Sequence, residues 1–285
     1  MSSFFINPHI LGTSIGNYQP ETSAWITRTE AAGGTLPTGT KDAVDAFVVS
    51  CKAAGFFTKF KRLNLFCGSN LTACLSPLVI TNGNQGLDTN SNFISGDYTQ
   101  AGGLVGGTGK GLNTGFVPDT SMSYVDWHMA SYMIARSDSL SMELGCLGYT
   151  GGNVQFRQSM SYGVYQGNYI GNIVISGDYN NGSNPAFQTV GSGITAGMML
   201  SSRRSASSLR VRNTSGSIDV HTTTTVNGLA HLPTNVMWAM CANNAEHTHH
   251  TLGAYGVGLG LSDTEMGQYC AYMETFQTAM GRNRG

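Results

Sequence analysis

Between residues 78 and 261 the chain repeats one pattern, an apolar run of moderate length followed by a cluster of Gly, Asn and Ser. The runs are His128 to Ala135, Ser141 to Leu147, Val154 to Tyr162, Tyr169 to Ile175, Gly197 to Ser201, Ser208 to Val211, Asn235 to Cys241 and Leu252 to Leu261. The punctuation includes Gly151-Gly152-Asn153, Asp178-Tyr179-Asn180-Asn181-Gly182 and Asn213-Thr214-Ser215-Gly216. Gly supplies positive φ, and Asn and Asp side chains bond their own backbone, so such clusters reverse the chain. Short runs with turns between them bury a face by pairing side by side, which predicts an antiparallel sandwich or barrel. Helical crossovers are missing from this stretch, so a parallel α/β sheet is not expected.

Helical patterns flank the strands. Glu21 to Ala32 is patterned as a helix with Trp25 as its buried anchor, stopped by Gly33-Gly34. Thr40 is expected to N-cap a second helix, with Lys41, Asp42 and Asp45 in its early turns. Its stripe is Val44, Phe47, Val48 and Cys51, spaced to share one helix face, and Gly55 suits the position after its end. Phe60 to Phe66 alternates like a strand, and Asn70 to Leu75 reads as a short helix before Pro77. At the other end, Ser262-Asp263-Thr264-Glu265 is a capping box. Met266, Tyr269, Met273, Phe276 and Met280 then recur at three and four, a stripe that must dock on the sandwich or the N-terminal helices. Gly281 closes this helix, and Arg282 and Arg284 suit its negative end.

Charge and thiols narrow the function classes. Charged residues make up 11% of the 285, and the formal net charge is −1, so no overall field draws the chain to nucleic acid or an anionic membrane. The basic cluster Arg203, Arg204, Arg210 and Arg212 lacks interleaved aromatics, and it reads as a solvated strand face or a subunit contact. No nucleic-acid partner and no membrane insertion are expected, because no apolar stretch is long enough to span a bilayer. Met1 to Pro8 lacks a basic region and a long apolar run, so it does not read as a signal peptide, and synthesis in a cytoplasm is expected. Cys51, Cys67, Cys74, Cys146, Cys241 and Cys270 each lie in an apolar element without C-x-x-C spacing, as buried free thiols would.

Candidate chemistry is sparse. Glu246-His247-Thr248-His249-His250 places three imidazoles and a carboxylate within five residues, and on a strand His247 and His249 would share one face. Without two further rigid ligands the sequence favours a polar loop, so no metal and no cofactor is expected, with His247, His249 and His250 as the metal candidates. Gly106 to Gly111 resembles a phosphate loop superficially. Leu104 stands where its first Gly belongs, and Gly111 where Ser or Thr must be, so a hairpin turn is expected. Glycoside hydrolysis needs two carboxylates, and Glu143 is alone on its run while Asp126 and Asp138 lie off it. No G-x-S-x-G elbow supports a serine nucleophile, since Gly191-Ser192-Gly193 lacks the flanking pattern. Tyr149, Tyr162, Tyr165, Tyr169 and Tyr179 are the aromatics considered for stacking on sugars, with core packing as the competing reading.

Three stretches carry a family likeness. Thr251 to Met266, with Phe276-Gln277-Thr278-Ala279-Met280-Gly281-Arg282, resembles the closing strand and helix of concanavalin A-like (laminin G-like) jelly-roll domains of phage-encoded, virion-associated proteins. Gly103-Leu104-Val105-Gly106 and Lys110 to Phe116 resemble the early strand pair of such domains. Trp25 to Leu78 looks like a two-helix preface that accompanies them.

The expected fold is therefore mainly β, a two-sheet antiparallel jelly-roll sandwich with an N-terminal helical subdomain and a C-terminal docked helix. The parts are an arm (1–20), a helical subdomain (21–78) and the sandwich (79–285) with helix 262–281. The resemblance implies a structural virion protein at the particle surface, as capsid decoration or head or tail fibre, made in the host cytoplasm. Display or adhesion, and not turnover, is the expected work. A lectin-like carbohydrate-binding module is the first alternative and a glycoside hydrolase the second. Other virion proteins, a homo-oligomer and a host-surface glycan are the expected partners. The arm is apolar at Phe4, Phe5, Ile6, Ile10 and Leu11, which makes these residues the candidate assembly contacts.

Overall fold

The computed structural model describes residues 18–82, 85–123, 125–135, 137, 143–148, 154–158, 160–165, 168–175, 187–189, 196–205, 208–213, 218–222, 232, 234–241 and 247–282. The arm residues Phe4, Phe5, Ile6, Ile10 and Leu11 lie outside them, as do Asp138, Tyr149, Tyr179 and Glu246.

Two helices open the fold, α1 (Pro20–Ala31) and α2 (Thr38–Ala53), followed by β1 (Phe60–Asn64) and the single turn α3 (Leu71–Cys74). Short strands come next: β2 (Val79–Ile80), β3 (Thr89–Ser91), β4 (Tyr98–Thr99), β5 (Gly103–Val105) and β6 (Gly111–Asn113). The long strands begin with β7 (Trp127–Ala135), β8 (Leu144–Gly148), β9 (Val154–Gln158), β10 (Met160–Tyr165) and β11 (Asn168–Ile175). The chain continues through β12 (Phe187–Thr189), β13 (Gly197–Ser205), β14 (Ser208–Asn213) and β15 (Ile218–Thr222). It closes with β16 (Trp238–Ala239), β17 (Thr251–Gly258) and α4 (Asp263–Ala279).

The chain is a mainly β sandwich of antiparallel sheets with a helical N-terminal part and a C-terminal helix, as expected. The larger sheet runs β15-β14-β13-β7-β17-β1-β2, with β5 also on β17 and β4 on β5. Facing it is a five-stranded sheet, β3-β6-β16-β8-β9, and β10-β11-β12 form a separate three-stranded meander. Between the two larger sheets lies one apolar core, which includes Leu112, Phe116, Leu144, Cys146 and Met237.

The larger sheet is buried on both faces, so the fold has three layers. Along β7, Met129 and Met133 face the inter-sheet core, while Ala130 and Tyr132 face a second core beneath the helices. On β13, Met199 faces one core and Met198 and Leu200 the other. A strand covered on both sides needs no polar alternation, and β7 has none over its first seven residues. The same holds for β1, where Phe60, Leu63 and Asn64 are all buried.

The helices close the outer face. Trp25 is buried and its indole N–H donates to the Ser76 carbonyl, pinning α1. The α2 stripe of Val44, Phe47, Val48 and Cys51 packs against the α4 stripe of Met266, Tyr269, Met273 and Phe276. The α4 capping box is present, with the Ser262 hydroxyl accepting from the Glu265 N–H and the Glu265 carboxylate from the Ser262 N–H. Small residues on β17 let α4 approach, since a Cβ on Gly256 would sit 2.7 Å from the Tyr269 hydroxyl.

Four local expectations need correction. Thr40 does not cap α2; the helix begins at Thr38, where Pro37 already fixes an extended φ, and the Thr40 hydroxyl donates to Gln100. The run from Val154 to Tyr162 is two strands, β9 and β10, rather than one. The run from Asn235 to Cys241 keeps only Trp238–Ala239 as strand, because Met240 takes a φ of 65° and turns the chain away. Finally, Arg282 is buried beyond the end of α4 and donates to the carbonyls of Gln100, Gly253 and Phe66 and to the Gln277 side chain.

Candidate functional site

The helical core covers the outer face of the larger sheet, and no helix of the described residues is part of such a core on the outer face of the five-stranded sheet. Its middle strand, β16, is short. Ala239 pairs with Leu112 on one side and Leu144 on the other, and all three are buried in the inter-sheet core. Successive strand residues point to opposite faces, so Trp238 lies on the outer face with its partners Asn113 and Gly145. The row extends to Thr89, opposite Asn113, and to the register position of Arg157, opposite Gly145.

This row crosses all five strands at about 4.8 Å per step, or roughly 19 Å in all. Trp238 and Asn113 are half-buried and Thr89 is exposed. The indole lies over Gly111, where a Cβ would stand 3.4 Å from Trp238 Cε3 and 2.3 Å from the Cys241 sulfur. Gly111 is therefore what makes room for the Cys241 sulfur, with the indole edge in ordinary contact beside it. Asn113 Oδ1 accepts from the Gly115 N–H at 2.9 Å, which fixes the amide orientation. The arrangement offers an apolar aromatic face with hydroxyl and amide groups beside it.

A second polar cluster closes one end of the sandwich. Glu143, just before β8, is buried, as are Thr248 and His250, just before β17. The Thr248 hydroxyl donates to Glu143 Oε1 at 3.2 Å, and His250 Nε2 stands 3.6 Å from the same oxygen. On its other side, His250 Nδ1 is 2.9 Å from the Ser137 backbone nitrogen and 3.1 Å from Ser137 Oγ. Asp126, the other acid considered beside Glu143, accepts the Gly260 N–H.

The histidines alternate across this edge. Thr248 and His250 are buried, whereas His247 is half-buried and His249 exposed, 3.3 Å from the Thr108 hydroxyl. Burial, with the neighbouring His249 in second place, pushes the His247 pKa down. Among the described residues no group of three or more His, Cys, Asp or Glu is placed to hold a metal ion.

The basic cluster is divided: Arg203 is buried, Arg204 is exposed, and Arg210 and Arg212 are half-buried. Arg210 pairs with Asp263 at 3.0 Å, and the Arg212 guanidinium lies 3.1 Å from where a Cβ on Gly267 would be. Arg210 and Arg212 share one sheet face, as their alternation predicts, but that face meets α4 and is not the solvated face or subunit contact expected. Tyr162 and Tyr165 lie on β10 and Tyr169 on β11, while Tyr149 and Tyr179 fall outside the described residues. Trp238 escaped the sequence reading because Met237-Trp238-Ala239-Met240 looks uniformly apolar; only its pairing with Gly and Asn reveals an outer position.

No family model and no curated protein matches this chain. Several solved structures are similar to it at low identity. A domain of an extracellular arabinanase from Geobacillus stearothermophilus, in complex with arabinotriose, is 13% identical with a TM-score of 0.45, over 74% of this chain and 98% of that one. A mutant Trypanosoma rangeli sialidase is 12% identical with a TM-score of 0.44, over 92% of this chain and 38% of that one. A toad ovary galectin in complex with N-acetylgalactose is 9% identical with a TM-score of 0.30, over 51% and 98%. The chain also spans 46% of the length of a similar arabinofuranosidase. These likenesses concern the fold alone. They overturn one expectation: glycoside hydrolases stand among the similar structures, so the sandwich is no ground for calling the chain non-enzymatic. The fold rests on the strand pairing itself: a mainly β sandwich of antiparallel sheets with helices at both ends.

Proposed function

We propose that the chain is an adhesion protein that recognises glycan through the outer face of its five-stranded sheet. The observation that carries this reading is Trp238, held half-buried at the centre of the row, with Asn113 and Thr89 on one side and Gly145 and the position of Arg157 on the other. A core tryptophan would be enclosed. Here the indole offers an apolar face on which a sugar ring can stack, with hydrogen-bonding groups beside it.

A glycan array followed by tryptophan-fluorescence titration of the strongest binder tests the reading. Trp238→Ala lowers affinity at least tenfold with an unchanged circular dichroism spectrum. Equal binding by wild type and Trp238→Ala refutes the assignment of this face. The surface of a phage particle is the setting proposed for this work; it rests on the resemblance in Trp25 to Leu78 and Thr251 to Arg282. Mass spectrometry of purified particles tests it, and absence of the chain from them refutes it.

A further inference from the structure

The outer face of the five-stranded sheet carries charge of one sign. Leu144 and Cys146 on β8 lie in the inter-sheet core, so Gly145 between them faces outward. Arg157, its partner on β9, stands at a register position of the same face. Alternation puts Thr89, Ser91, Gly111, Asn113, Leu147 and Gln155 on that face with Trp238. Arg157 is thus the one charged residue at the described strand positions of this face, and no carboxylate shares them. Glu143, the acid nearest to Gly145 along the chain, precedes β8, is fully buried and accepts the Thr248 hydroxyl at 3.2 Å.

Trp238 and Arg157 are two strands apart, with Gly145 on the strand between them. Two steps of about 4.8 Å separate their backbones by about 10 Å. Gly145 raises no side chain in that interval, and its backbone is buried at the floor. A sugar ring stacked on an indole projects its equatorial substituents sideways, along the sheet toward the neighbouring strands. A hydroxyl arriving at an arginine position offers one neutral acceptor. A carboxylate offers two oxygens that match the planar fork and balance its charge.

We propose, resting on the assignment of glycan recognition to this face, that the bound glycan is acidic: the sugar on Trp238 carries a carboxylate, as uronic and sialic acids do, and Arg157 takes that carboxylate across Gly145. Charge complementarity favours this class, because no acid at the described positions of the face repels a carboxylate. The formal net charge of −1 gives no general attraction for anions, so the preference comes from this one position.

Matched ligands test this. An array of neutral, uronic, sialylated and sulfated glycans identifies the strongest carboxylated binder and tells the two acid sources apart. Calorimetric titration of the full chain then compares that glycan with its carboxyl-reduced form. Wild type binds the acid at least tenfold more tightly, and added salt shrinks the advantage. Arg157→Gln brings acid binding down to the level of wild type with the reduced form, and Arg157→Lys keeps part of the advantage, since it keeps the charge without the fork. Trp238→Ala weakens binding of both forms. The ligand comparison on wild type decides even where a variant does not fold. Equal wild-type affinity for the two forms, with both lost in Trp238→Ala, overturns the acidic ligand and leaves glycan recognition standing. Strongest binding to neutral or sulfated glycans overturns it in the same way, as does a polyglutamate peptide that binds more tightly than any glycan. Failure of every glycan to bind removes both readings.

Discussion

His128 makes the fold sensitive to acid in a way that can be measured residue by residue. It lies on β7, fully buried, with its ring edge-on to Phe60 and Tyr269. Its Nδ1–H donates to the Leu259 carbonyl at 2.6 Å, and its Nε2 has no hydrogen-bond partner. Burial lowers its pKa from 6.5 to about 4; the Leu259 bond and Glu265 oppose the shift, and Lys59 adds to it. The Lys59–Glu265 ion pair is the charged pair nearest to the ring in this balance. A lowered pKa means that the unfolded chain takes up the proton first. The neutral ring's stabilisation is therefore complete above about pH 6.5 and is lost as pH falls toward about 4. The full shift of about 2.5 units corresponds to about 3 kcal/mol, of which about 2.5 kcal/mol is lost between about pH 7.5 and about pH 4.5. Urea unfolding of wild type and His128→Phe at both pH values isolates this contribution, because other titrating groups are common to both. Wild type loses about 2.5 kcal/mol more than the variant over this interval. Equal losses would show that His128 is not buried as a neutral ring.

Three further outcomes follow from the packing. Asp88→Ala removes the acceptor of Arg62, Asn64 and Tyr255 and leaves a fully buried guanidinium without its carboxylate. It lowers stability by about 3–5 kcal/mol in urea unfolding, and a change under about 1 kcal/mol would place this network in water. Ser262→Ala removes the cap of α4 and lowers stability by about 1 kcal/mol, read from the same transition. All six cysteines are buried and free, and burial pushes the thiols of Cys67 and Cys270 up to about 12. Ellman's reagent therefore labels the native chain at least a hundredfold more slowly than the chain in urea; rapid labelling of even one thiol would contradict this burial.

The parts of this fold legible in the sequence are those where one face is buried and the period survives. The stripes of α2 and α4 and the Ser262–Glu265 box could be read because each helix docks along one side. The short strands β2 to β6 could not be, since two or three residues establish no alternation. Only the resemblance pointed to β5 and β6. The three-layer arrangement was also hidden. A strand buried on both faces, such as β7, reads simply as apolar and does not disclose that a second core lies beneath the helices. Ser137, Glu143 and His250 are joined by long-range pairing rather than by a local motif, and Ser137 and His250 are 113 residues apart.

The unequal covering of the two sheets determines where recognition can occur. The larger sheet spends its outer face on α2 and α4: Tyr132 on β7 donates to Glu274 of α4, and Arg210 on β14 pairs with Asp263. Two members of the basic cluster, Arg210 and Arg212, are thereby engaged by α4. The five-stranded sheet has no such helix among the described residues, and it places Trp238 there between Asn113 and Gly145. A half-exposed indole forgoes part of its burial energy of about 25 cal/mol per Å² and leaves that part of the ring open to a ligand. Replacing Trp238 by Thr should lower the unfolding free energy in urea by about 2 kcal/mol, the share of the indole that is buried, while abolishing glycan binding. A much larger loss of stability would instead make the indole part of the core and remove the reason for assigning recognition to this face.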